Sequence, residues 1–244
     1  MGYIFGRNPV IEALKAGRTI NKILVAKGSL GGSVSEIAAL ARENNVPLQH
    51  ADKKQLDYLA GGGVHQGVAA QIAAWEYADW EEELERVNRE GDAPLFLLLD
   101  GVEDPQNLGA VLRTADAAGV HCVIIPKNRA VPLTSGVARA SAGAIEHVPV
   151  SRVTNLARTI DALKDKGCWI TGADPSSRQT LFETNLAGPL ALVVGGENRG
   201  LSRLLKEKCD TLVRIPMNGR VNSLNVSAAA AVLLYEIVRQ RGRR

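Results

Sequence analysis

From residue 95 onward, short apolar runs alternate with stretches of helical spacing, and this alternation restricts the fold more than any other feature. The strand-like runs lie at 95–99, 121–125, 168–171, 190–194 and 212–215. Helical spacing falls between them, near 109–118, 135–142, 156–166 and 202–206, and an alanine-rich helix is predicted from about 225 to 239. Strands separated by helices favour an α/β fold with a mostly parallel sheet, whose ligands normally bind beyond the carboxyl ends of the strands.

The first part of the chain follows the same alternation on a smaller scale. Helical patterns near 8–16, 34–44 and 53–59 alternate with apolar runs at 22–26, 46–50 and 68–73, which predicts a small α/β domain. Residues 76–94 lack a strong apolar face and are predicted to be an acidic linker. The predicted organisation is therefore a domain at 1–75, a linker at 76–94 and a second domain at 95–244.

Charge is distributed unevenly along the chain. Residues 1–75 hold 8 basic and 5 acidic side chains, 76–94 hold 2 and 8, and 95–244 hold 19 and 13. The two basic blocks favour a polyanionic partner such as RNA, although a solvated charged surface explains them equally well. The three cysteines are isolated, which is typical of a reducing compartment and implies no disulfide or zinc site. Because no apolar run approaches bilayer length and no secretory signal is visible, we expect a cytoplasmic protein.

A first motif, DGVEDPQNLGAVLRTADAAG, follows the strand FLLLD at the start of the second domain. It matches neither the GxGxxG nor the GxxxxGK[ST] pattern, so the common dinucleotide and P-loop folds are disfavoured. Asp104 and Pro105 mark a turn, after which the spacing predicts a helix with Asn107 near its start and Arg113 further along. A capping Asn and a surface Arg remain an alternative interpretation of this segment.

Two further motifs follow predicted strands. In VVGGENRGLS, Gly195 and Gly196 permit close backbone approach to a ligand, and Glu197 supplies a carboxylate at the strand end. In IPMNGRVNSLNVSAAAA, Ser223 and Asn225 lie at the entrance to the last helix, where backbone amides and the helix dipole could face an anion. Tight-turn geometry and an ordinary helix N-cap are the alternatives.

Taken together and in this order, the three motifs closely resemble those of the SpoU (TrmH-like) branch of the SPOUT RNA methyltransferases, over residues 95–242. The segments FGRNPVIEAL and VHQGVAAQ are similar to the L30e-like substrate-binding domain of bacterial 23S rRNA guanosine 2′-O-methyltransferases of the RlmB type. The resemblance implies an N-terminal L30e-like α/β domain and a SPOUT α/β domain with a deep trefoil knot. It also implies a homodimer, an RNA substrate, no membrane partner and no metal.

By resemblance, the cofactor is S-adenosylmethionine, bound against the backbone of three loops. The cofactor-binding residues implied are Gly195, Gly196, Ile215, Met217 and Leu224.

By the same resemblance, the catalytic residues are Asn107, Arg113, Glu197, Ser223 and Asn225. Arg113 matches the motif-one arginine that is often assigned to activation of the 2′-hydroxyl. A guanidinium with a pKa above about 12 has no acceptor for a proton, so we assign it to phosphate positioning and alkoxide stabilisation. Asn107, Ser223 and Asn225 would hold ribose and phosphate, and Glu197 would orient Arg113 or the loops.

Three other functions stay open at this point. These are a tRNA guanosine-18 2′-O-methyltransferase, an rRNA adenosine 2′-O-methyltransferase that confers thiopeptide resistance, and a catalytically silent RNA-binding assembly factor. Residues 1–75 weigh against the tRNA enzymes, which generally lack such a domain, and the intact motif residues weigh against a silent factor. His65, His121 and His147 lie outside the motifs, and structural roles are predicted for them.

Overall fold

The computed structural model describes residues 2–28, 31–73, 75–197 and 199–242. Contacts divide the chain into two compact units. Unit 1 comprises residues 1–76 together with 133–147, and unit 2 comprises 77–132 together with 148–244. Within the described residues, no helix is long and apolar enough to cross a membrane.

The described elements alternate along the whole chain. The strands are β1 Gly2–Phe5, β2 Ile20–Ala26, β3 Leu48–Ala51, β4 Val68–Ile72, β5 Leu95–Asp100, β6 Cys122–Pro126, β7 Val150–Val153, β8 Trp169–Ala173, β9 Leu190–Gly195 and β10 Thr211–Val213. The helices are α1 Arg7–Lys15, α2 Gly32–Glu43, α3 Lys53–Ala60, α4 Trp80–Glu90, α5 Pro105–Ala117, α6 Ser135–Ala140, α7 Leu156–Asp165, α8 Arg203–Lys208 and α9 Val226–Arg241.

Unit 1 is built on a mixed sheet. Among the described residues its strand order is β1-β4-β2-β3, with β2 antiparallel to β4 and parallel to β3. One face buries a cluster that includes Phe5, Leu24, Leu56 and Ala69. The sequence patterns predict β2, β3 and β4 but not β1, which comes at the very start of the chain and runs directly into α1.

A segment from later in the chain packs within unit 1. Glu146 accepts two hydrogen bonds from Arg18 Nη1, at 2.7 and 2.9 Å, and one from Trp75 Nε1 at 3.2 Å. The Arg18 guanidinium also lies 4.0 Å from the centre of the Trp75 ring. Gly143 approaches Glu12 so closely that a Cβ at Gly143 would lie 2.4 Å from Glu12 Cγ. Residues 133–147, which the sequence analysis assigns to the second domain by continuity, therefore make their contacts with residues of the first.

Unit 2 contains the parallel sheet that the alternation predicts. Within the described chain the strand order is β10-β8-β9-β5-β6-β7, and every neighbouring pair is parallel. The central strands are almost entirely buried, and Phe96, Leu98, Ile124 and Val193 are among the buried residues of the core. Burial on both faces is why these strands appear in the sequence as continuous apolar runs. The α/β fold with a parallel sheet is confirmed.

The acidic segment 76–94 differs from its prediction as a linker, because it contains helix α4. Trp80, Leu84 and Val87 are buried and recur at helical spacing, and the Asp79 side chain caps the helix by accepting from the Glu81 amide at 2.8 Å. Three apolar residues form a narrow stripe among eight acidic ones, so the apolar face is too sparse to stand out in the sequence.

The chain returns from the edge of the sheet to its centre at its C-terminal end. After the edge strand β10, α9 packs against α5 and β9, and it buries Leu233, Leu234 and Ile237. The expected trefoil knot depends on this return path and stays a prediction. The path brings the start of α9 to the same end of the sheet as the loop that follows β5.

Candidate active site

The loops that follow β5 and β9 are fastened together at the carboxyl ends of the strands. The Gly196 amide donates to the backbone oxygen of Asp100 at 2.7 Å, and the Ser202 amide donates to Asp100 Oδ2 at 3.1 Å. The Asp100 residue is only 4% exposed. A buried carboxylate is costly unless it is hydrogen-bonded, so this side chain holds the two loops in one arrangement.

Gly195 and Gly196 are required by the protein's own backbone. A Cβ at Gly195 would lie 2.1 Å from the carbonyl carbon of Gly200, and a Cβ at Gly196 would lie 2.1 Å from the oxygen of Gly101. The sequence analysis expects these glycines to make room for a ligand. Whether or not a ligand binds there, they let two turns of the chain pass at van der Waals distance, and the backbone of Gly196 forms part of the cavity wall.

Residues from all three motifs meet at the start of α9. Asn225 Nδ2 donates to Asn107 Oδ1 at 2.9 Å and forms a short hydrogen bond with Glu197 Oε1. Asn225 Oδ1 accepts from the Ser227 amide at 2.9 Å, so the same side chain is the N-cap of α9. The sequence analysis gives an ordinary N-cap as the alternative to a functional role. The structure shows that Asn225 is the N-cap and that the same side chain also joins the three motifs.

Asn107 is free for this contact because another residue caps its helix. Asp104 precedes α5 and accepts from the Gln106 amide at 3.1 Å, and Pro105 occupies the first helical position. The alternative that Asn107 is the cap is therefore wrong.

A cavity of about 870 Å³ opens at this end of the sheet in unit 2. Asn107, Gly196 and Glu197 line it, together with Asp100 and Arg129. The sequence analysis assigns no role to the last two. A polar residue that ends the buried run FLLLD was an available signal for Asp100, whereas Arg129 lies in an irregular loop that carries no recognisable pattern.

Arg113 and Ser223 are described but do not line this cavity. Both are exposed. Arg113 is six residues beyond Asn107 on α5, which places it roughly 120° around the helix and about 9 Å along the axis. The structure therefore brings together Asn107, Glu197 and Asn225, and leaves Arg113 on a different face of α5.

The remaining predicted cofactor residues lie in the loop between β10 and α9. Ile215 and Met217 are half-buried, and Leu224 is 36% exposed. Within the described residues, no backbone-to-backbone hydrogen bond involves 215–224. Backbone N–H and C=O groups without internal partners, beside aliphatic side chains, fit a ligand with a flat heteroaromatic base and polar edges.

His65, His121 and His147 each have a structural partner. His65 Nε2 lies 2.9 Å from Asp57 Oδ1, and His147 Nε2 lies 3.0 Å from Glu12 Oε2. His121 Nδ1 accepts from the Leu95 amide at 3.0 Å. Burial, reinforced by the positive charge of Arg241, lowers the pKa of His121, so this ring is neutral near pH 7.

Comparison with known proteins identifies the family. Residues 94–235 match the SpoU rRNA Methylase family, and residues 3–78 match the family described as RNA 2′-O ribose methyltransferase substrate binding. The chain belongs to the SpoU (TrmH) family of RNA 2′-O-ribose methyltransferases. A relative from Bacillus subtilis (strain 168), YacO, is named as a TrmH family tRNA/rRNA methyltransferase; it is 47% identical over 98% of this chain and 96% of its own length. That name does not single out the RlmB type.

Solved structures of SpoU proteins agree with both units. An RNA 2′-O ribose methyltransferase has a TM-score of 0.80 and 31% identity, covering 98% of this chain and 88% of that one. An rRNA methyltransferase from Sinorhizobium meliloti, bound to S-adenosylmethionine (AdoMet), has a TM-score of 0.80 and 25% identity, covering 98% and 87%. A TrmH/SpoU tRNA modifying enzyme from A. aeolicus has a TM-score of 0.56 and 30% identity, covering 66% and 84%. The SpoU chain described here is an AdoMet-dependent RNA methyltransferase whose first part is an RNA substrate-binding domain.

Proposed function

We propose that this enzyme methylates the ribose 2′-oxygen of a guanosine in 23S rRNA, in the peptidyl-transferase loop. The observation that carries the choice of rRNA over tRNA is the substrate-binding domain. The structure described as a tRNA modifying enzyme matches only 66% of the chain, whereas the one described as an rRNA methyltransferase matches 98%. We propose that residues 1–75, which form the first part of unit 1, bind the RNA substrate.

The cofactor would lie on the loops that follow β9 and β10. We assign the contacts to the backbone of Gly195 and Gly196 and to Ile215, Met217 and Leu224. The polar backbone groups of 215–224 without backbone partners support this assignment, as does the position of Gly196 in the cavity wall. AdoMet supplies an electrophilic methyl group on a sulfonium, so the reaction itself needs no metal.

The chain's own residues would position the ribose. Asn107 and Asn225 would bind the 2′-hydroxyl through their side-chain amides, and Glu197 would fix the Asn225 side chain through their hydrogen bond. Ser223, next to this cluster in the chain, would bind the adjacent phosphate. Because the hydroxyl must meet the methyl group in line, most of the rate acceleration would come from orientation.

Arg113 would act across a homodimer. The exposed side of α9 carries Leu224 just before it and Ala228, Val232 and Tyr235 along it, an apolar stripe at helical spacing that a second copy of the chain would bury. Arg113 is exposed on α5, the helix that packs against α9. We propose that it stabilises the alkoxide and phosphate in the partner's cavity.

Subunit mixing tests this arrangement. Arg113→Ala and Asn225→Asp variants are each expected to retain at most about a tenth of wild-type activity as homodimers. After subunit exchange at equal amounts, half of the dimers are mixed and each has one intact site, which predicts about a quarter of wild-type activity. No recovery would place Arg113 in the cavity of its own chain. A monomer in sedimentation analysis would refute the dimer.

A basic cavity in unit 1 is the proposed RNA contact. It measures about 760 Å³, and its lining includes Arg7, Lys27 and Lys53 with a single carboxylate, Asp57. Arg7→Ala or Lys53→Ala should weaken RNA binding and leave AdoMet binding unchanged, and the exposed Arg42→Ala is the matched control. Equal RNA affinity in all three variants would move the contact elsewhere.

Methylation mapping tests the proposed substrate. The enzyme is incubated with labelled AdoMet and 23S rRNA, 16S rRNA or bulk tRNA, and the modified ribose is located. Label at one guanosine of the 23S peptidyl-transferase loop supports the proposal. Label only in tRNA would retain the chemistry and overturn the substrate, and label at an adenosine would indicate the resistance-type reaction. No label on any of the RNAs would favour a silent assembly factor.

A further inference from the structure

Arg129 is a cavity residue that the three motifs do not account for. It follows β6, and its Nη2 lies 3.5 Å from Oδ1 of the buried Asp100 carboxylate. The other carboxylate oxygen of Asp100 accepts from the Ser202 amide at 3.1 Å. The contact with the Ser202 amide therefore anchors the Asp100 carboxylate, and its other oxygen faces the guanidinium.

The turn that carries Arg129 is fixed on both sides. The Lys127 amide donates to the oxygen of Val153 at 2.8 Å, and the Val131 amide donates to the oxygen of Val102 at 3.1 Å. Arg129 itself has a φ of +60°, a left-handed conformation that is uncommon for a residue with a side chain. Such conformations persist where the surroundings impose them, and they occur often at ligand sites.

The guanidinium retains most of its binding capacity. Its side chain is 59% exposed, and Asp100 is its hydrogen-bond acceptor within the described part of the chain. A structural Arg–carboxylate pair is typically short and bidentate, whereas this contact is a single one at the distance limit. Several of the five N–H donors of Arg129 are thus open to the cavity, where they can bind an anion with two oxygens.

Strand order places this arginine on the substrate side of the cavity. The proposed cofactor loops follow β9 and β10, while Arg129 follows β6, and β5 lies between β9 and β6. With strands about 4.8 Å apart, the end of β6 lies roughly 10 Å from the end of β9. Asn107 lies near the start of the helix that follows β5, the strand between them, and it lines the same cavity. An anion at Arg129 would therefore lie across the proposed ribose position from the cofactor.

We propose that Arg129 binds a backbone phosphate of the RNA next to the target ribose, and that Asp100 orients it. This inference rests on the proposed function of the cavity. Strand order favours an RNA phosphate over the cofactor carboxylate as the anion bound by Arg129, because β5 separates β6 from the proposed cofactor loop after β9. Asp100 is a positioning residue, because it acts through Arg129 and through the loop after β9, which it holds by accepting from the Ser202 amide.

The test compares Arg129→Ala, Arg129→Lys and the exposed control Arg158→Ala, which lies on α7 outside the cavity. For each protein, AdoMet affinity is measured by calorimetry, and KM and kcat are measured on the RNA that the wild type methylates. Losing a charge-assisted contact should raise the RNA KM of Arg129→Ala about 10- to 100-fold. The slope of log RNA affinity against log salt concentration should decrease by the equivalent of about one phosphate contact. AdoMet affinity should stay within about twofold of the wild-type value. Arg129→Lys should recover part of the loss.

Two results would overturn the inference. Weaker AdoMet binding with an unchanged RNA KM would assign the guanidinium to the cofactor carboxylate. A lower melting temperature with unchanged binding of both ligands would make the pair with Asp100 purely structural. If the wild type methylates no RNA, the proposed function fails instead, and direct RNA binding by Arg129→Ala and Arg158→Ala still tests the phosphate contact.

Discussion

The Asn225→Asp substitution separates the two tasks of Asn225. Its Oδ1 caps α9 by accepting from the Ser227 amide, while its Nδ2 donates to Asn107 and Glu197. An aspartate keeps an acceptor in the same place and removes both donations. It also places a second carboxylate beside Glu197, at a position exposed enough for salt to screen the repulsion.

The expected effects on stability and activity differ in size. Loss of an N-cap costs about 1 kcal/mol, which corresponds to about 2–4 °C in melting temperature for a chain of this length. Asn225→Ala should show this loss, whereas Asn225→Asp should melt within about 2 °C of the wild type at physiological salt. A hydrogen bond to a charged group contributes about 1.5–3 kcal/mol, so both variants should lose roughly 10- to 150-fold in methylation rate.

Scanning calorimetry and single-turnover methylation at saturating AdoMet measure the two effects on the same samples. Saturation with cofactor ensures that a change in AdoMet affinity does not appear as a change in rate. Wild-type turnover in Asn225→Asp would refute the role of the Asn107, Glu197 and Asn225 cluster. Equal melting temperatures for the Ala and Asp variants would refute the capping argument.

Three further substitutions test other parts of unit 2. Gly196→Ala would place a methyl group 2.1 Å from a backbone oxygen, so it should abolish AdoMet binding in calorimetry, whereas Gly32→Ala has open space around it and should behave as the wild type. Arg241→Ala removes hydrogen bonds of 2.8, 2.8 and 2.7 Å to three backbone oxygens and should cost about 2–4 kcal/mol in urea unfolding. A cost below that of an exposed ion pair would contradict this role. Because the pKa of His121 is lowered in the folded state, the unfolded state binds the proton first. The free energy of unfolding should be at its full value above about pH 7 and should fall as pH drops below about 6.5. His121→Asn should reduce this dependence of stability on pH, and an unchanged dependence would refute the assignment.

Local sequence patterns predict most elements of this protein and miss those whose signal is short or sparse. The central strands of unit 2 are visible as apolar runs because both of their faces are covered. Strands β1 and β7 are missed although β3 has the same length; β7 holds two polar residues, Ser151 and Arg152, and so shows no apolar run. Helix α4 is missed because its three buried apolar residues stand among acidic side chains.

The candidate site follows the same division. Asn107, Glu197 and Asn225 could be selected from their motifs, since each lies at the start of a helix or the end of a strand. Their mutual hydrogen bonds could not, because 118 residues separate the two asparagines in the chain. Arg129 has no motif, and its importance depends on a buried carboxylate that belongs to another strand.

The sequence by itself determined the alternation of strands and helices, the family and the residue types that its chemistry requires, because these depend on local periodicity and on short motifs. Only the tertiary structure decided that 133–147 packs with the first unit, that Gly195 and Gly196 are required by close approach of the chain's own backbone, and that Arg113 lies outside the cavity that Arg129 lines. These facts depend on distances between residues far apart in the chain, and such distances are fixed by how the sheets order their strands.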